Sequence, residues 1–419
     1  MTHSAGAHKA AHPIAFFVLY LPFGASSGFC NITLGFLLHQ HGVSVAAVAG
    51  VVAMNYLPNT WKVLWAPLVD TTFSARIWYL VGILACMAGF LIPGFTSLGP
   101  AHLPIFAAVA FALGFASSIA AMAAERLMAY DTPEDQKGRA GGWSQAGNLG
   151  GGGLGGGLGL WLAVHTGMSW TAGAFLAAMS ALCVIMVMRL PNPPRTADDQ
   201  GLLGTIKETV LDVAGLATKR IGMLAVFICL LPMGTGAASN LWSSIAGDWK
   251  AGPDEVVLVS GVLNGVVAIV GSLSAGFVCD LMDRKAGYAL FGLISAASAV
   301  VMALTPHTPA TFLVFATCYN LIIGCCYGAF SALTLEAIGH GAAATKYNLI
   351  ASAANIPIMV MTLVNGQAQT RWGSSGMLLT EAACAGVAVI LYTVVALGTR
   401  GWSWRGAGRL VGIRPAEIG

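Results

Sequence analysis

The chain has 419 residues, of which 57% are hydrophobic and only 9% are charged. Soluble domains carry about 25% charged residues, so this composition excludes a soluble protein and predicts an all-α membrane protein. The net charge of +3 gives no reason to expect a nucleic-acid partner. The nine cysteines fall in apolar segments and form no CxxC pair, so we expect no metal site, no disulfide framework and no cofactor.

Apolar runs follow one another along the chain with short connections between them. They cover residues 14–38, 45–69, 77–97, 102–129, 139–163, 169–190, 220–246, 255–280, 287–305, 309–338, 345–369 and 376–399. Most reach the length of about 20 residues that a helix needs to cross a bilayer. One long polar connection, residues 191–219, divides the runs six and six. We expect an N-terminal bundle over 1–190, a linker carrying an amphipathic surface helix, and a C-terminal bundle over 220–419.

Lysine and arginine residues lie almost entirely on one side of this predicted topology. The opposite side holds only Lys250 and Arg371. Cytoplasmic connections are enriched in these residues, so both termini and the linker are expected in the cytoplasm. The predicted location is the cell inner membrane, crossed many times, and the lipid bilayer is the expected surrounding.

The two halves of the sequence repeat each other. Residues 21–24 (LPFG) return as 231–234 (LPMG), and Asp70 returns as Asp280 at the same displacement of 210 positions. Asn55 matches Asn264 within one residue of that displacement, and Glu125 matches Glu336. Parallel six-helix repeats are typical of major facilitator transporters. The predicted fold therefore has twelve membrane helices in two six-helix bundles, with three-helix units repeated within each.

Several motifs resemble one group within that superfamily. The segment 41–70, with KVLWAPLVD at its end, and GASSGF at 24–29 are similar to AmpG-type muropeptide permeases and to their relatives, the acetyl-CoA transporters and siderophore-uptake permeases. Residues 132–150 and 344–357 resemble further stretches of the group, whereas Ala121 stands where an acidic residue is expected. The likeness covers most of the chain. It implies proton-driven uptake of a polar organic solute by alternating access, and we expect a monomer.

Lys62 is a cation inside the second apolar run. A charge at that depth is costly, and insertion scales give about 2.5 to 3.5 kcal/mol. It either extends its ammonium toward the cytoplasm along Trp61 and Trp65, or meets an anionic group of the substrate. The resemblance also allows Lys62 to exchange partners with Glu125, and these two residues are the candidates for proton coupling.

Polar uncharged side chains at membrane depth are the other candidates for the substrate site. Transporter sites lie near the midplane at the interface between repeats. With Lys62, the predicted substrate-binding residues are Asn31, Asn55, Tyr56, Asn59, Gln145, Asn148, Asn240, Asn264, Tyr319, Asn320, Tyr327 and Asn355. The alternative is that some of them only form hydrogen bonds between helices, worth about 0.6 kcal/mol each.

A charged loop motif follows the second helix of each half. Residues 276–285 (GFVCDLMDRK) resemble the superfamily's loop signature, whereas the first copy is degraded. The resemblance implies a cytoplasmic gate formed by Asp70, Arg76, Arg126, Asp280, Arg284 and Glu336. The alternative is that these charges fix the topology and anchor loops.

Three other interpretations are less well supported. Residues 147–159 are glycine-rich but follow no strand, so we expect close helix packing and not a dinucleotide loop. Drug efflux by proton antiport would be accompanied by a proline within that glycine run, which is absent. A membrane enzyme would need His, Asp or Cys clustered at one membrane face, and the histidines are scattered.

Overall fold

The computed structural model describes residues 12–132, 137–191, 226–338 and 343–398, together with Gly204, Lys207 and Leu211. Within this part the chain is helical and forms no strand. The amphipathic helix expected in the linker lies outside the described residues, apart from those three positions.

Six helical segments make up the first half. They are α1 (Ile14–Gln40), α2 (Val45–Thr60, Lys62–Leu64 and Ala66–Thr71), α3 (Ala75–Phe95), α4 (Leu103–Asp131), α5 (Lys137–Gly153, Leu154–Leu158 and Gly159–Thr166) and α6 (Trp170–Arg189). α2 leaves the α-helical path at Trp61, which has φ −130° and ψ 16°, and continues as a 3-10 turn through Lys62.

Six further segments make up the second half. They are α7 (226–230, Ala237–Leu241, Trp242–Ile245 and Ala246–Trp249), α8 (Pro253–Val256, Val257–Leu263 and Asn264–Leu281), α9 (Arg284–Leu304), α10 (Pro309–Ile338), α11 (343–372) and α12 (374–398). α11 and α12 are joined by Gly373 alone, whose φ of 68° breaks the helix. Only glycine adopts this backbone conformation without a steric penalty.

Eight stretches of the described chain are long and apolar enough to cross a membrane, and the last of them, Leu349–Val395, contains both α11 and α12. The remaining segments, α2, α5 and α7, are interrupted or rich in glycine and polar residues. The prediction of an all-α, multi-pass membrane protein is confirmed. We call the end of the bundles near Leu190 and Arg284 the linker end, and the opposite end, near Gly42 and Lys250, the far end.

Close packing in the first half depends on the glycines of α5. A Cβ at Gly151 would lie 2.2 Å from the carbonyl oxygen of Leu21, and one at Gly155 would lie 2.3 Å from that of Ala25. Gly24 of α1 is equally tight, because its Cβ would lie 1.8 Å from the carbonyl oxygen of Asn148. The structure thus agrees with the sequence interpretation of the glycine run as a helix-packing surface.

The LPxG repeats behave differently in the two halves. α1 remains helical through Pro22. In α7 the helix is interrupted at residues 231–236, where Gly234 and Gly236 have φ values of 65° and 68°. The motif therefore coincides with an open break in α7 only.

Three helix pairs make particularly close contacts between the far halves of the two bundles, within the part of the chain that the structure describes. α5 crosses α8 where a Cβ on Gly157 would lie 2.6 Å from the Cα of Gly261. α2 packs on α11 where a Cβ on Gly366 would lie 2.5 Å from the Cβ of Ala49. α1 contacts α7 through Ser243, whose hydroxyl donates to the carbonyl oxygen of Asn31 at 2.7 Å. These contacts close the far end.

Candidate transport site between the two bundles

Four side chains from four helices form a hydrogen-bonded group between the bundles. Asn31 of α1 donates through Nδ2 to Tyr56 Oη and to Asn240 Oδ1, both at 3.0 Å. Tyr56 of α2 donates to the same Asn240 oxygen at 3.0 Å. Asn240 of α7 in turn donates to Thr362 Oγ1 of α11 at 3.0 Å. We call Asn31, Tyr56, Asn240 and Thr362 the seam cluster.

The seam cluster lies deep in the membrane. Tyr56 is eleven residues into α2, about 16 Å along the helix at 1.5 Å per residue, which is close to the middle of a hydrocarbon layer about 30 Å thick. Asn31 and Asn240 are 8% and 7% exposed. They lie 209 positions apart in sequence, the displacement that also relates Asn55 to Asn264. Corresponding residues of the two halves therefore meet at the interface between repeats.

One acceptor in the seam cluster is unused. Asn31 Oδ1 is buried and receives no hydrogen bond within the described part of the chain. An unsatisfied buried carbonyl is costly, of the order of 1–3 kcal/mol. A hydroxyl or amide of a bound solute would satisfy it. Tyr327 of α10 lies near Tyr56 across the interface, and its side chain is 51% exposed.

Lys62 sits in the 3-10 turn that interrupts α2, and its side chain is partly exposed. Trp61 and Trp65 flank it with ring centroids 5.5 Å apart, and α11 packs beside the turn. In the described part of the chain, Lys62 forms neither an ion pair nor a hydrogen bond. The pair between Lys62 and Glu125 that we considered is not formed in this conformation. Glu125 instead accepts from Tyr20 Oη at 3.1 Å.

Two predicted site residues instead hold helices together inside a single bundle. Asn55 is 1% exposed and donates to Ser26 Oγ at 2.9 Å and to the carbonyl oxygen of Ala110 at 3.2 Å. Tyr319 is 1% exposed and donates to Glu381 within the C-terminal bundle. Here the alternative of structural hydrogen bonds fits, because the side-chain hydrogen bonds of both residues stay within one bundle.

The remaining predicted substrate residues form no hydrogen bond with the seam cluster among the described residues. Asn59 and Asn320 are 6% and 3% exposed, and Asn59 Oδ1 lacks a donor among the described residues. Asn264 is partly exposed, and its side chain forms no hydrogen bond with any described residue. Asn355 donates to the carbonyl oxygen of Ala351 in its own helix at 2.8 Å. On α5, Asn148 approaches Gln145 at 3.5 Å.

The residues assigned to a gate include two that anchor helix ends. Arg126 Nη1 donates to the carbonyl oxygens of Val69 at 3.0 Å and Phe73 at 3.2 Å, at the end of α2. Arg76 Nη2 donates to the carbonyl oxygen of Leu190 at 2.6 Å, at the end of α6. Cations at a helix C-terminus satisfy its last carbonyls. These contacts favour loop anchoring as at least part of the role of these arginines.

The second charged loop is only partly described. Asp283 accepts from the backbone amides of Lys285 at 2.9 Å and Ala286 at 3.2 Å, which caps the start of α9 next to Arg284. The side chains of Asp70, Asp280 and Glu336 lie outside the described residues. The gate that depends on them stays a prediction.

Sequence reasoning missed one buried carboxylate, Glu381 of α12, which is 5% exposed. It accepts from Tyr319 Oη of α10, from Asn365 Nδ2 of α11 at 2.6 Å and from the backbone amide of Ala238 in α7. A signal was present, since Glu381 is an acid inside the apolar run 376–399. An ionisable residue within a membrane span is by default a functional candidate, as was assumed for Lys62.

Comparisons with known proteins agree with this architecture. The Major Facilitator Superfamily profile matches residues 16–361. The anhydromuropeptide permease of Escherichia coli (strain K12) is 25% identical over 357 residues, covering 80% of this chain and 70% of the relative. The fold is similar to that of a D-xylose-proton symporter, with TM-score 0.71 and 14% identity over 91% of this chain and 96% of that one. It is also similar to a POT family transporter in complex with a thioalcohol-conjugated peptide, with TM-score 0.70 and 9% identity over 92% of this chain and 96% of that one.

A profile match over most of the chain, two bundles of membrane helices and a polar group between them lead to the same conclusion. The protein is a transporter of a small organic solute and not an enzyme. The chain belongs to the Major Facilitator Superfamily.

Proposed function

We propose that this chain is an inner-membrane permease that takes up a muropeptide-like solute, driven by the proton gradient. The observation that carries the proposal is the seam cluster, which presents amide and phenol groups of both bundles, with one buried acceptor unused at Asn31. These groups suit a solute rich in hydroxyls and amides. The resemblance of segment 41–70 to muropeptide permeases and the 25% identical relative support the substrate class.

Lys62 is proposed to meet an anionic group of this solute. Its ammonium is in the interrupted part of α2 and has no partner among the described residues. A cation that is left unpaired at membrane depth is costly, so a carboxylate of the peptide part of the solute would be a favourable counter-ion. Glu125, next to Tyr20, remains a candidate for proton coupling.

The domain bounds and orientation form part of the same proposal. The N-terminal bundle is assigned to 1–190, the linker to 191–219 and the C-terminal bundle to 220–419. The asymmetry of lysines and arginines supports a cytoplasmic linker end and cytoplasmic termini. A tag placed at either terminus is expected to be digested by protease only in inside-out vesicles.

Uptake into proteoliposomes tests the function. Labelled anhydromuropeptide is expected to accumulate only when the outside is made acidic, and Lys62→Met is expected to reduce accumulation at least tenfold. Arg371→Gln, which removes an exposed cation at the far end, is the matched control and is expected to transport normally. Accumulation of a ferric siderophore without muropeptide uptake would overturn the substrate, and proton-driven export would overturn the direction.

A further inference from the structure

The interior of the C-terminal bundle contains a carboxyl group that the proposed function does not use. Glu381 is contacted by three helices other than its own, through Ala238, Tyr319 and Asn365. Ser295 of α9 also interacts with Tyr319. The other titratable groups near it are Cys384, on its own helix, and Cys326, which faces Tyr319. No cation contacts Glu381 in the described part of the chain.

In this conformation the hydrogen bonds to Glu381 are those that an ionised carboxylate needs. A phenol hydroxyl, a side-chain amide and a backbone amide all donate to it. Such donors stabilise a buried anion that has no counter-ion, whereas an unsatisfied anion would be far more costly. The protein thus buries an acid and places three hydrogen-bond donors around it.

Asn365 provides the partner that the protonated form needs. Its Oδ1 is buried and receives no hydrogen bond among the described residues, while its Nδ2 lies 2.6 Å from Glu381 Oε2. Rotation of the amide by half a turn would bring Oδ1 to the same position, where it can accept from a protonated carboxyl. The same two side chains can therefore form a hydrogen bond in either protonation state.

Asn240 and Thr362, the seam-cluster residues of the C-terminal bundle, lie close in sequence to the residues that contact Glu381. Asn240 is two residues after Ala238, beyond the break in α7. Thr362 is one helical turn before Asn365 on α11. Two separate helices therefore connect Glu381 to the seam cluster.

We propose that Glu381 is a proton-binding site of the transport cycle, whose protonation weakens its bond to the Ala238 amide and turns the Asn365 amide, and so loosens the seam cluster at Asn240 and Thr362. The far-end-closed conformation then corresponds to the ionised carboxylate, and protonation favours opening of the far end. In each cycle Glu381 takes up one proton from the far side, and it releases that proton when the far end has closed. This inference deepens the proposed proton coupling and replaces neither the substrate nor the direction.

Infrared difference spectroscopy tests the site without any substrate. Wild-type protein in lipid membranes, compared at acid and alkaline pH, is expected to show the C=O stretching band of a protonated carboxyl that is absent from Glu381→Gln. The matched control is Glu255→Gln, which removes a carboxylate that caps the start of α8 and is expected to keep the band. If Glu381→Gln does not fold, Tyr319→Phe keeps the carboxyl, removes one donor and is expected to change the pH at which the band appears.

A conformational measurement gives the second readout. Spin labels at Gln40 and Gly247, which are exposed at the far end on opposite bundles, are expected to separate as the pH falls. In Glu381→Gln the separation is expected at every pH, because the amide imitates the protonated acid. An unchanged carboxyl band together with an unchanged response to pH would overturn the proposal. Failed muropeptide uptake alone would contradict only the proposed substrate.

Discussion

At the scale of single residues, Asn240 holds the seam together. It accepts from Asn31 and Tyr56 and donates to Thr362. Hydrogen bonds between membrane helices are worth about 0.6 kcal/mol each, and two of the three join the bundles, so Asn240→Ala is expected to destabilise the contact between them by about 1.2 kcal/mol. This corresponds to a shift of roughly 7- to 8-fold toward the far-end-open state. The distance between spin labels on the two bundles measures it.

Asn55→Ala is the control for Asn240→Ala. Asn55 is as deeply buried but forms hydrogen bonds within the N-terminal bundle only. The Asn55→Ala variant is expected to have a lower thermal stability but an unchanged distribution between the far-end-open and far-end-closed states. Equal shifts in the two variants would mean that the seam cluster is not the contact that closes the far end.

Arg126 is expected to act mainly by anchoring α2. Arg126→Gln removes a charged donor from the carbonyls of Val69 and Phe73. Hydrogen bonds to charged groups are worth about 1.5 to 3 kcal/mol, so a loss of about that size in the free energy of unfolding is expected. The measurement is thermal unfolding in detergent. A stable variant that has lost transport would support a role in the gate instead.

Residue identity predicted the seam cluster only in part. Asn31, Tyr56 and Asn240 were recognised because amides and phenols at membrane depth need partners. The same rule also selected Asn55 and Tyr319, whose hydrogen bonds stay within one bundle. The direction of a side chain depends on helix rotation and on breaks such as the one at Trp61 in α2. Neither the rotation of a helix nor the position of a break can be predicted from amino-acid composition.

At the scale of helices, the crossing of α5 and α8 limits how closely the bundles approach. Gly157→Ala would place a methyl group 2.6 Å from the Cα of Gly261, which the two backbones cannot accommodate without moving apart. The variant is expected to favour the far-end-open state and to slow uptake. Gly386→Ala in α12 is the control, because its Cβ would meet open space. It is expected to stabilise the protein by up to about 1 kcal/mol.

Helix lengths could be predicted from the sequence, whereas interruptions could not. The apolar runs match the observed helices closely because hydrocarbon thickness fixes the length of a span. The identical LPxG pattern gives a continuous α1 and an interrupted α7. The difference arises because residues 231–236 include Gly234 and Gly236 with positive φ, a choice that depends on the surrounding packing.

At the scale of the whole molecule, a cross-link between the bundles tests whether transport requires the far end to open. A Cβ on Gly35 would lie 3.0 Å from Ser243 Oγ, a separation compatible with a disulfide. The double variant Gly35→Cys and Ser243→Cys is expected to lose uptake on mild oxidation and to regain it with reductant. Uptake through the oxidised protein would contradict alternating access at this end.

Gly287→Cys provides the matched control for that cross-link. Its Cβ would lie 3.0 Å from the sulfur of Cys279, so the disulfide would join α8 to α9 within one bundle. Oxidation of this variant is expected to leave uptake intact. Loss of uptake here would mean that the oxidant and not the locked seam stops transport.

The twelve-helix architecture followed from the sequence because charge asymmetry, run length and the 210-residue repeat all constrain it independently. The conformation could not be predicted from the sequence, because the far-end-open and far-end-closed states of a transporter satisfy the same hydropathy pattern. Which contacts close the far end depends on small differences such as the glycines at 157 and 261.

Gly373 has a mechanical consequence. Since α11 and α12 turn on this single residue, no slack segment separates the helix that carries Glu381 from the helix that carries Asn365 and Thr362. Asn365 also bonds Glu381 directly across the two helices, so we expect α11 and α12 to tilt together. A displacement of Glu381 on protonation is then expected to pass to α11 at once.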